Sequence, residues 1–140
     1  QGSRLRHVAH GIIDTPANAL FAERLQRIYE EATRRLDVFR PDVAAIERLY
    51  FKQNVTTGIS VAQSRGVLAL AVAQAGVPIL EFSPTEIKTA ITGYGKADKR
   101  QMQEMIKILL NLEGIPRPDD AADALGLAIA AFHAGKVVQG

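Results

Sequence analysis

The apolar run Val43-Ala44-Ala45-Ile46, which ends at Glu47, sets the fold class of this chain. Arg40-Pro41 separates the run from the helical pattern before it, because a residue that precedes proline avoids the helical region. The run is too short for a helix, and consecutive apolar residues are typical of a strand buried on both faces, as in a parallel sheet. Parallel strands are joined by crossover segments, so helices are expected around this strand.

The segments around this strand alternate between helical and extended patterns. Apolar residues recur at helical spacing from Asn18 to Phe39. Further helices are expected at about 59–75, from about 98 to 112, and from Asp119 onward, while 6–13 and 77–82 are predicted strands. Ser83-Pro84-Thr85-Glu86 has the capping serine, the first-turn proline and the later glutamate of a helix start. This order predicts one α/β domain over residues 1–140, with a mixed sheet flanked by helices.

Composition limits the class of protein. The chain has 140 residues, 47% of them apolar, which suits one domain with its own core and argues against disorder. It has no cysteine, so disulfides and thiolate metal sites are excluded, and a reducing, cytoplasmic location is expected. No run is long and apolar enough for a membrane span, and the first residues are unlike a signal peptide. The net charge of +2 permits nucleic-acid binding without indicating it.

Acidic residues open the last apolar segment, Asp119-Asp120-Ala121-Ala122-Asp123. Asp120 and Asp123 share one face of a helical turn. Because carboxylates that enter a core together repel each other and lose hydration, a bound cation is one way to stabilise them. Glu47 ends a strand, where ligands of α/β sheets gather, and could share Mg²⁺ ions that cleave a phosphodiester. The alternatives are helix capping by Asp119 or Asp120, and an ion pair between Glu47 and an arginine.

Basic and aromatic residues are interspersed with these acids. Lys88 and Lys99 could neutralise a phosphate in a transition state, or they could lie on solvated helix faces. Tyr50-Phe51-Lys52-Gln53-Asn54 follows Glu47, and its rings could stack on unpaired bases or pack onto the core. There is no glycine-rich phosphate loop, because Gly93-Tyr94-Gly95 is a turn. The histidines, too, show no ligand spacing to one another.

Taken in order, these motifs resemble the bacterial RuvC Holliday-junction resolvases. The motifs that carry the resemblance are Val43 to Glu47, the loop to Asn54, Gln63-Ser64-Arg65-Gly66-Val67, Ile87-Lys88, Gly93-Tyr94-Gly95, Lys99 and Asp120-Ala121-Ala122-Asp123-Ala124-Leu125. Each motif alone is weak evidence for the family, whereas the order and spacing of all of them together are specific to it. The resemblance extends over nearly the whole chain, from about Leu5 to His133.

The resemblance implies a ribonuclease-H-like fold and an endonuclease that resolves four-way DNA junctions by paired nicks during recombination and repair. It also implies Mg²⁺ as the cofactor, with Mn²⁺ as a substitute. The expected partners are junction DNA, a second copy of the chain, and the branch-migration proteins RuvA and RuvB. The dimer is expected to form through the helix at about 59–75, whose small residues Ser60, Ser64 and Ala71 would allow close approach.

Site residues follow from the same resemblance. Glu47, Asp120 and Asp123 match metal-binding acids, and Asp120 is the weaker match because some relatives have histidine there. Lys88 and Lys99 match basic residues near the scissile phosphate. The residues expected to contact DNA are Tyr50, Phe51, Lys52, Gln53, Asn54 and Arg65.

The chain departs from the family pattern at its start. The family begins with a strand that contains Ile-Asp-Pro-Gly, whose aspartate is the first metal ligand, and Asp14 does not match it because Thr15-Pro16 follow. We expect about twenty residues upstream, since a chain without that central strand would expose sheet edges and core. The activity of the 140 residues alone is therefore in doubt. The alternatives are a junction-binding module without catalysis, or an ATP-binding phosphotransferase of related fold.

Overall fold

The computed structural model describes residues 5–48 and 55–139, with the backbone alone at 55–57 and 135–139. The elements of the described residues are α1 (Phe21–Phe39), β1 (Ala44–Glu47), α2 (Val55–Gln74), β2 (Ile79–Phe82), α3 (Pro84–Thr92), α4 (Lys99–Leu109) and α5 (Asp119–Gln139). They form two compact units, one of residues 13–81 and one of residues 82–140 with 1–12. The single domain over residues 1–140 stays a prediction. None of the described helices is both long and apolar enough to span a bilayer.

The unit of residues 13–81 contains a helix pair and the sheet. β1 and β2 are neighbours in a two-stranded parallel sheet, and α2 is the crossover between them. The helix α1 packs against α2 and buries Ile28 and Ala32. The side chain of Arg24 in α1 donates a 3.1 Å hydrogen bond to Oγ of Ser64 in α2, and Ala71 is only 3% exposed. Ala71 is therefore buried within the chain, and the predicted dimer face is wrong at this residue, while Ser64 is half-buried and its place in that face stays a prediction.

The other unit is built around one apolar cluster. Its buried members come from α3, α4 and α5 and are Ile87, Ile91, Ile106, Leu125 and Ile129. The helix α3 packs against both α4 and α5. A Cβ atom built at Gly126 would lie 3.0 Å from Cδ1 of Ile91, so the glycine permits the close approach of α5 to its neighbours.

Two capping boxes fix the starts of α3 and α4. Ser83 Oγ accepts from the Glu86 backbone at 3.1 Å, and the Glu86 carboxylate accepts from the Ser83 backbone at 2.9 Å. This confirms the predicted start. The same reciprocal bonds join Asp98 and Gln101, both at 2.8 Å. The second box fixes Lys99 as the first residue of α4, which positions its side chain.

The predicted strand at residues 6–13 is wrong. These residues have no regular secondary structure, and the sheet of the described residues contains β1 and β2 alone. Val8 is 71% exposed and Ile12 is 42% exposed, so the alternating pattern does not bury one face. His7 and His10, which sequence spacing left unconnected, form a 2.9 Å hydrogen bond between their rings. Alternation alone cannot form a strand, because every strand needs a neighbour to accept and donate its hydrogen bonds.

Candidate active site

The acids of the site lie in the first turn of α5. Asp120 and Asp123 are exposed, while Ala121, Ala122 and Leu125 of the same turns are buried. The expectation that the carboxylates enter a core is therefore wrong. Each residue of a helix turns by about 100°, so the small residues and Leu125 meet the core while the acids stand on the other side. The arrangement presents the two carboxylates outward rather than burying them.

Lys99 is bound to the same helix start. Its Nζ lies 2.7 Å from Oδ2 of Asp119, and the side-chain amide of Gln103 donates to Oδ1 of Asp119 at 3.3 Å. The hydrogen bond with Asp119 raises the pKa of Lys99. The negative charges of Asp123 and Asp120 raise it further. The same bond lowers the pKa of Asp119. Where α4 and α5 begin, Lys99 therefore contacts one carboxylate, that of Asp119, and lies within range of the charges of Asp120 and Asp123.

Asp123 differs from Asp119 in its electrostatics. Partial desolvation raises the pKa of Asp123; Lys99 opposes this, and the negative charges of Asp120 and Asp119 add to it. A carboxylate among like charges is stabilised by an additional cation. The oxygen-only donors of this cluster fit a hard divalent ion that keeps several water ligands, such as Mg²⁺.

Lys88 lies in α3, which packs against α5 in the same unit. It follows the core residue Ile87 and is half-buried. Its backbone carbonyl accepts a 2.8 Å hydrogen bond from the hydroxyl of Thr92. The structure thus brings the helices that carry Lys88, Lys99 and the aspartates into one unit.

Glu47 lies in the other unit, as the exposed last residue of β1. Its backbone carbonyl accepts a 3.3 Å hydrogen bond from Nε of Arg65. Nη2 of Arg65 also forms a 2.9 Å ion pair with Glu81 of β2, and Arg48 lies 3.9 Å from the same carboxylate. Arg65, expected to contact DNA, thus ties α2 to the end of β1. Sequence reasoning missed Glu81, although an acid near the end of a neighbouring strand was a usable signal.

Two parts of the expected site find no support among the described residues. Tyr50, Phe51, Lys52, Gln53 and Asn54 lie outside the described residues, so their contact with DNA stays a prediction. Within the described part of the chain, no three or more histidine, cysteine or acidic side chains are grouped to hold a metal ion. Sequence reasoning also missed the pairing of Asp119 with Lys99, because contacts between helices are not encoded by spacing along one helix.

Comparison with known proteins places this geometry in a family. Residues 1–133 match the family model of the crossover junction endodeoxyribonuclease RuvC. The RuvC protein of Thermotoga maritima is 53% identical over 127 residues, which cover 91% of this chain and 76% of that protein. The RuvC protein of Rubrobacter xylanophilus is also 53% identical, over 134 residues that cover 96% of this chain and 74% of that protein.

Two solved structures of RuvC proteins also match this chain. The structure described as Thermus thermophilus RuvC in complex with Holliday junction substrate aligns with a TM-score of 0.89 at 30% identity. The alignment covers 96% of this chain and 82% of that one. A second structure of Thermus thermophilus RuvC aligns with a TM-score of 0.87, also at 30% identity.

The fold and these matches define an α/β nuclease of the ribonuclease-H-like class, which confirms the predicted fold class and enzyme class. The chain belongs to the RuvC family of crossover junction endodeoxyribonucleases. Nucleases of this family are metal-dependent.

Proposed function

We propose that this chain belongs to a Mg²⁺-dependent endonuclease that resolves four-way DNA junctions by paired nicks during recombination and repair. The observation that supports this most is the family match over residues 1–133, together with a solved relative that holds Holliday junction DNA. Lys99, paired with Asp119 and within range of the charges of Asp120 and Asp123, adds basic and acidic groups of the kind that phosphodiester cleavage uses. RuvA and RuvB are the proposed partners, and the cytoplasm is the proposed location.

We propose that Asp120, Asp123 and Glu47 provide carboxylate ligands for the metal. Asp120 and Asp123 are exposed residues at the start of α5, so a hydrated cation and a DNA strand can both approach them. A bound divalent cation supplies an activated water and neutralises charge on the phosphate. Desolvation, the largest cause of the raised pKa of Asp123, and the charges of Asp120 and Asp119 disfavour its ionised carboxylate, and a bound cation would offset both effects.

Lys88 and Lys99 are proposed to face the scissile phosphate, and the residues at 50–54 to contact the junction strands. Lys99 is more than half exposed, at 59%, so its ammonium can reach a phosphate while it remains near Asp119. A positive group of this kind stabilises negative charge that builds up on the phosphate in the transition state.

A cleavage assay tests the function. We expect the full-length protein with Mg²⁺ to nick a synthetic four-way junction at paired positions and to leave a linear duplex of the same sequence intact. Asp123→Asn should lower the cleavage rate at least about 100-fold, because the divalent cation that activates water and neutralises the phosphate loses a charged ligand. Glu113→Gln, which removes a charge from an exposed loop residue, is the matched control and should cleave like the parent.

The outcomes of this assay separate the alternatives. Equal cleavage by Asp123→Asn and the parent would exclude the metal role of Asp123. Tight, junction-selective binding by the parent without cleavage in Mg²⁺ or Mn²⁺ would instead favour a binding module. Comparing Mg²⁺, Mn²⁺ and Ca²⁺ at equal concentration identifies which ion supports the reaction.

We propose that a homodimer forms through an exposed stripe of α2 formed by Ile59, Gly66 and Leu70. These residues lie seven and four positions apart and therefore share one helix face. Ile59 and Leu70 are each 52% exposed, and a Cβ atom at Gly66 would meet nothing within 4 Å. A second copy of the helix can approach closely at the glycine, with Ile59 and Leu70 as apolar contacts on either side.

Analytical ultracentrifugation tests this interface. Leu70→Arg should weaken dimerisation at least about 30-fold, because a charge would be buried at an apolar contact. Val38→Arg is the control, since Val38 is 64% exposed on α1 and lies outside the stripe. A parent that sediments as a monomer, or a Leu70→Arg variant that stays dimeric, would contradict the interface.

A further inference from the structure

The ion pair between Lys99 and Asp119 is unusual in its location. Lys99 is the first residue of α4, where the positive end of the helix dipole repels an ammonium. Asp119 is the first residue of α5, where the dipole favours a carboxylate. The 2.7 Å contact between the two side chains opposes the repulsion at the start of α4 and directs the Lys99 ammonium toward α5.

Gln103 gives this contact a defined geometry. It lies four residues after Lys99, on the same face of α4. Its amide donates to Oδ1 of Asp119 while Lys99 contacts Oδ2, so both carboxylate oxygens are occupied from α4. The neighbouring acids, Asp120 and Asp123, act on Lys99 through their charges. The carboxylate of Asp119 is thus contacted at both of its oxygens by side chains of α4, close in sequence to the proposed catalytic acids.

We propose that Asp119 is a positioning residue for the endonuclease reaction, whose carboxylate, steadied by Gln103, holds the Lys99 ammonium beside Asp120 and Asp123. The inference rests on the proposed function, because Lys99 needs a scissile phosphate on which to act. Asp119 contributes through Lys99 and not through the metal. The negative charge of Asp119 slightly weakens DNA binding, whereas its hold on Lys99 speeds cleavage. Removing the charge should therefore slow cleavage without weakening binding.

This difference between cleavage and binding defines the first experiment. Single-turnover cleavage and junction binding are measured for the full-length parent, Asp119→Asn and Asp119→Glu. Asp119→Asn should cleave about tenfold more slowly, as expected for a misplaced catalytic group, and should bind the junction as tightly as the parent or up to about twofold more tightly. Asp119→Glu keeps the charge and should recover most of the rate. Weaker binding together with slower cleavage would indicate a merely structural role and overturn the proposal.

A double-mutant cycle tests whether Asp119 acts through Lys99. In the Lys99→Ala background, adding Asp119→Asn should change the remaining cleavage rate by less than about twofold. An equal tenfold loss in both backgrounds would overturn the proposal, as would faster cleavage by Asp119→Asn. Glu113→Gln is again the control for removal of one negative charge.

A spectroscopic measurement without metal or DNA provides an independent check. In the nitrogen-15 spectrum of the lysine ammonium groups, the Lys99 signal should be protected from exchange in the parent and lost in Asp119→Asn. An unchanged signal would overturn the proposed contact. If the parent itself fails to cut four-way junctions, the proposed function fails; if the parent cuts and Asp119→Asn cuts equally well, the positioning role alone fails.

Discussion

Gly126 controls how α5, which carries the aspartates, packs against α3 and α4. A Cβ atom at this position would lie 3.0 Å from Cδ1 of Ile91 and 3.3 Å from Cδ1 of Ile106. Both distances are shorter than ordinary van der Waals contacts between carbon atoms, so Gly126→Ala must displace these methyl groups. The substitution therefore probes the interface that brings the acids and Lys99 into one unit.

Two opposing contributions determine the free energy of unfolding of Gly126→Ala. Alanine is favoured over glycine inside a helix by about 1 kcal/mol. Overpacking of a filled core costs about 1–3 kcal/mol, and a value of about 2 kcal/mol is reasonable where two methyl groups crowd one atom. We expect Gly126→Ala to be less stable than the parent by about 1 kcal/mol. This corresponds to a decrease in Tm of about 3 °C for a chain of this size.

Urea denaturation followed by circular dichroism measures this change, and a second substitution shows its cause. Ile91→Val removes the Cδ1 atom that the new Cβ would meet, and alone should cost about 0.5–1.5 kcal/mol. The double variant should lose about 1 kcal/mol less than the sum of the single losses, because the added methyl group now has space.

Ala128→Gly is the control for helix propensity. Ala128 is exposed on the same helix, so its replacement should destabilise the protein by about 1 kcal/mol without any change in packing. If Gly126→Ala were more stable than the parent by that amount and showed no coupling to Ile91→Val, the crowding argument would be refuted.

Two further predictions concern surface charges. The hydrogen bond from Arg34 lowers the pKa of Glu31 below its ordinary value of 4.5, so Glu31→Gln should be less stable than the parent at neutral pH. Because the pKa of Glu31 is lower in the folded protein than in the unfolded chain, this difference in stability should disappear as the pH falls through the folded pKa. Urea titrations from about pH 7 to pH 3 measure it. A difference in stability that persists in acid would contradict the ion pair. If Lys52, Lys88 and Lys99 contact phosphates, each alanine variant should lower the slope of log affinity against log salt by about 1. Unchanged slopes for all three would exclude phosphate contact.

Local chemistry made much of the fold predictable from the sequence. Proline after Arg40, the capping serine at 83 and the apolar run at 43–46 act through backbone geometry and hydrogen bonds within a few residues. The corresponding elements therefore begin and end no more than four residues from their predicted bounds. The order of motifs also identified the family, because each motif occurs at its expected place along the chain.

Contacts between distant segments were decided by the tertiary structure alone. The apolar pattern around Asp123 suggested burial, but packing turned Ala121 and Leu125 inward and left the acid exposed. The pairing of Lys99 with Asp119, twenty residues later in the sequence, likewise depends on how α4 and α5 are packed. The sequence by itself determined where helices begin and which residue types are present, since those follow from local hydrogen bonds. Which face meets the core, and which charges meet each other, depends on long-range packing that no local pattern contains.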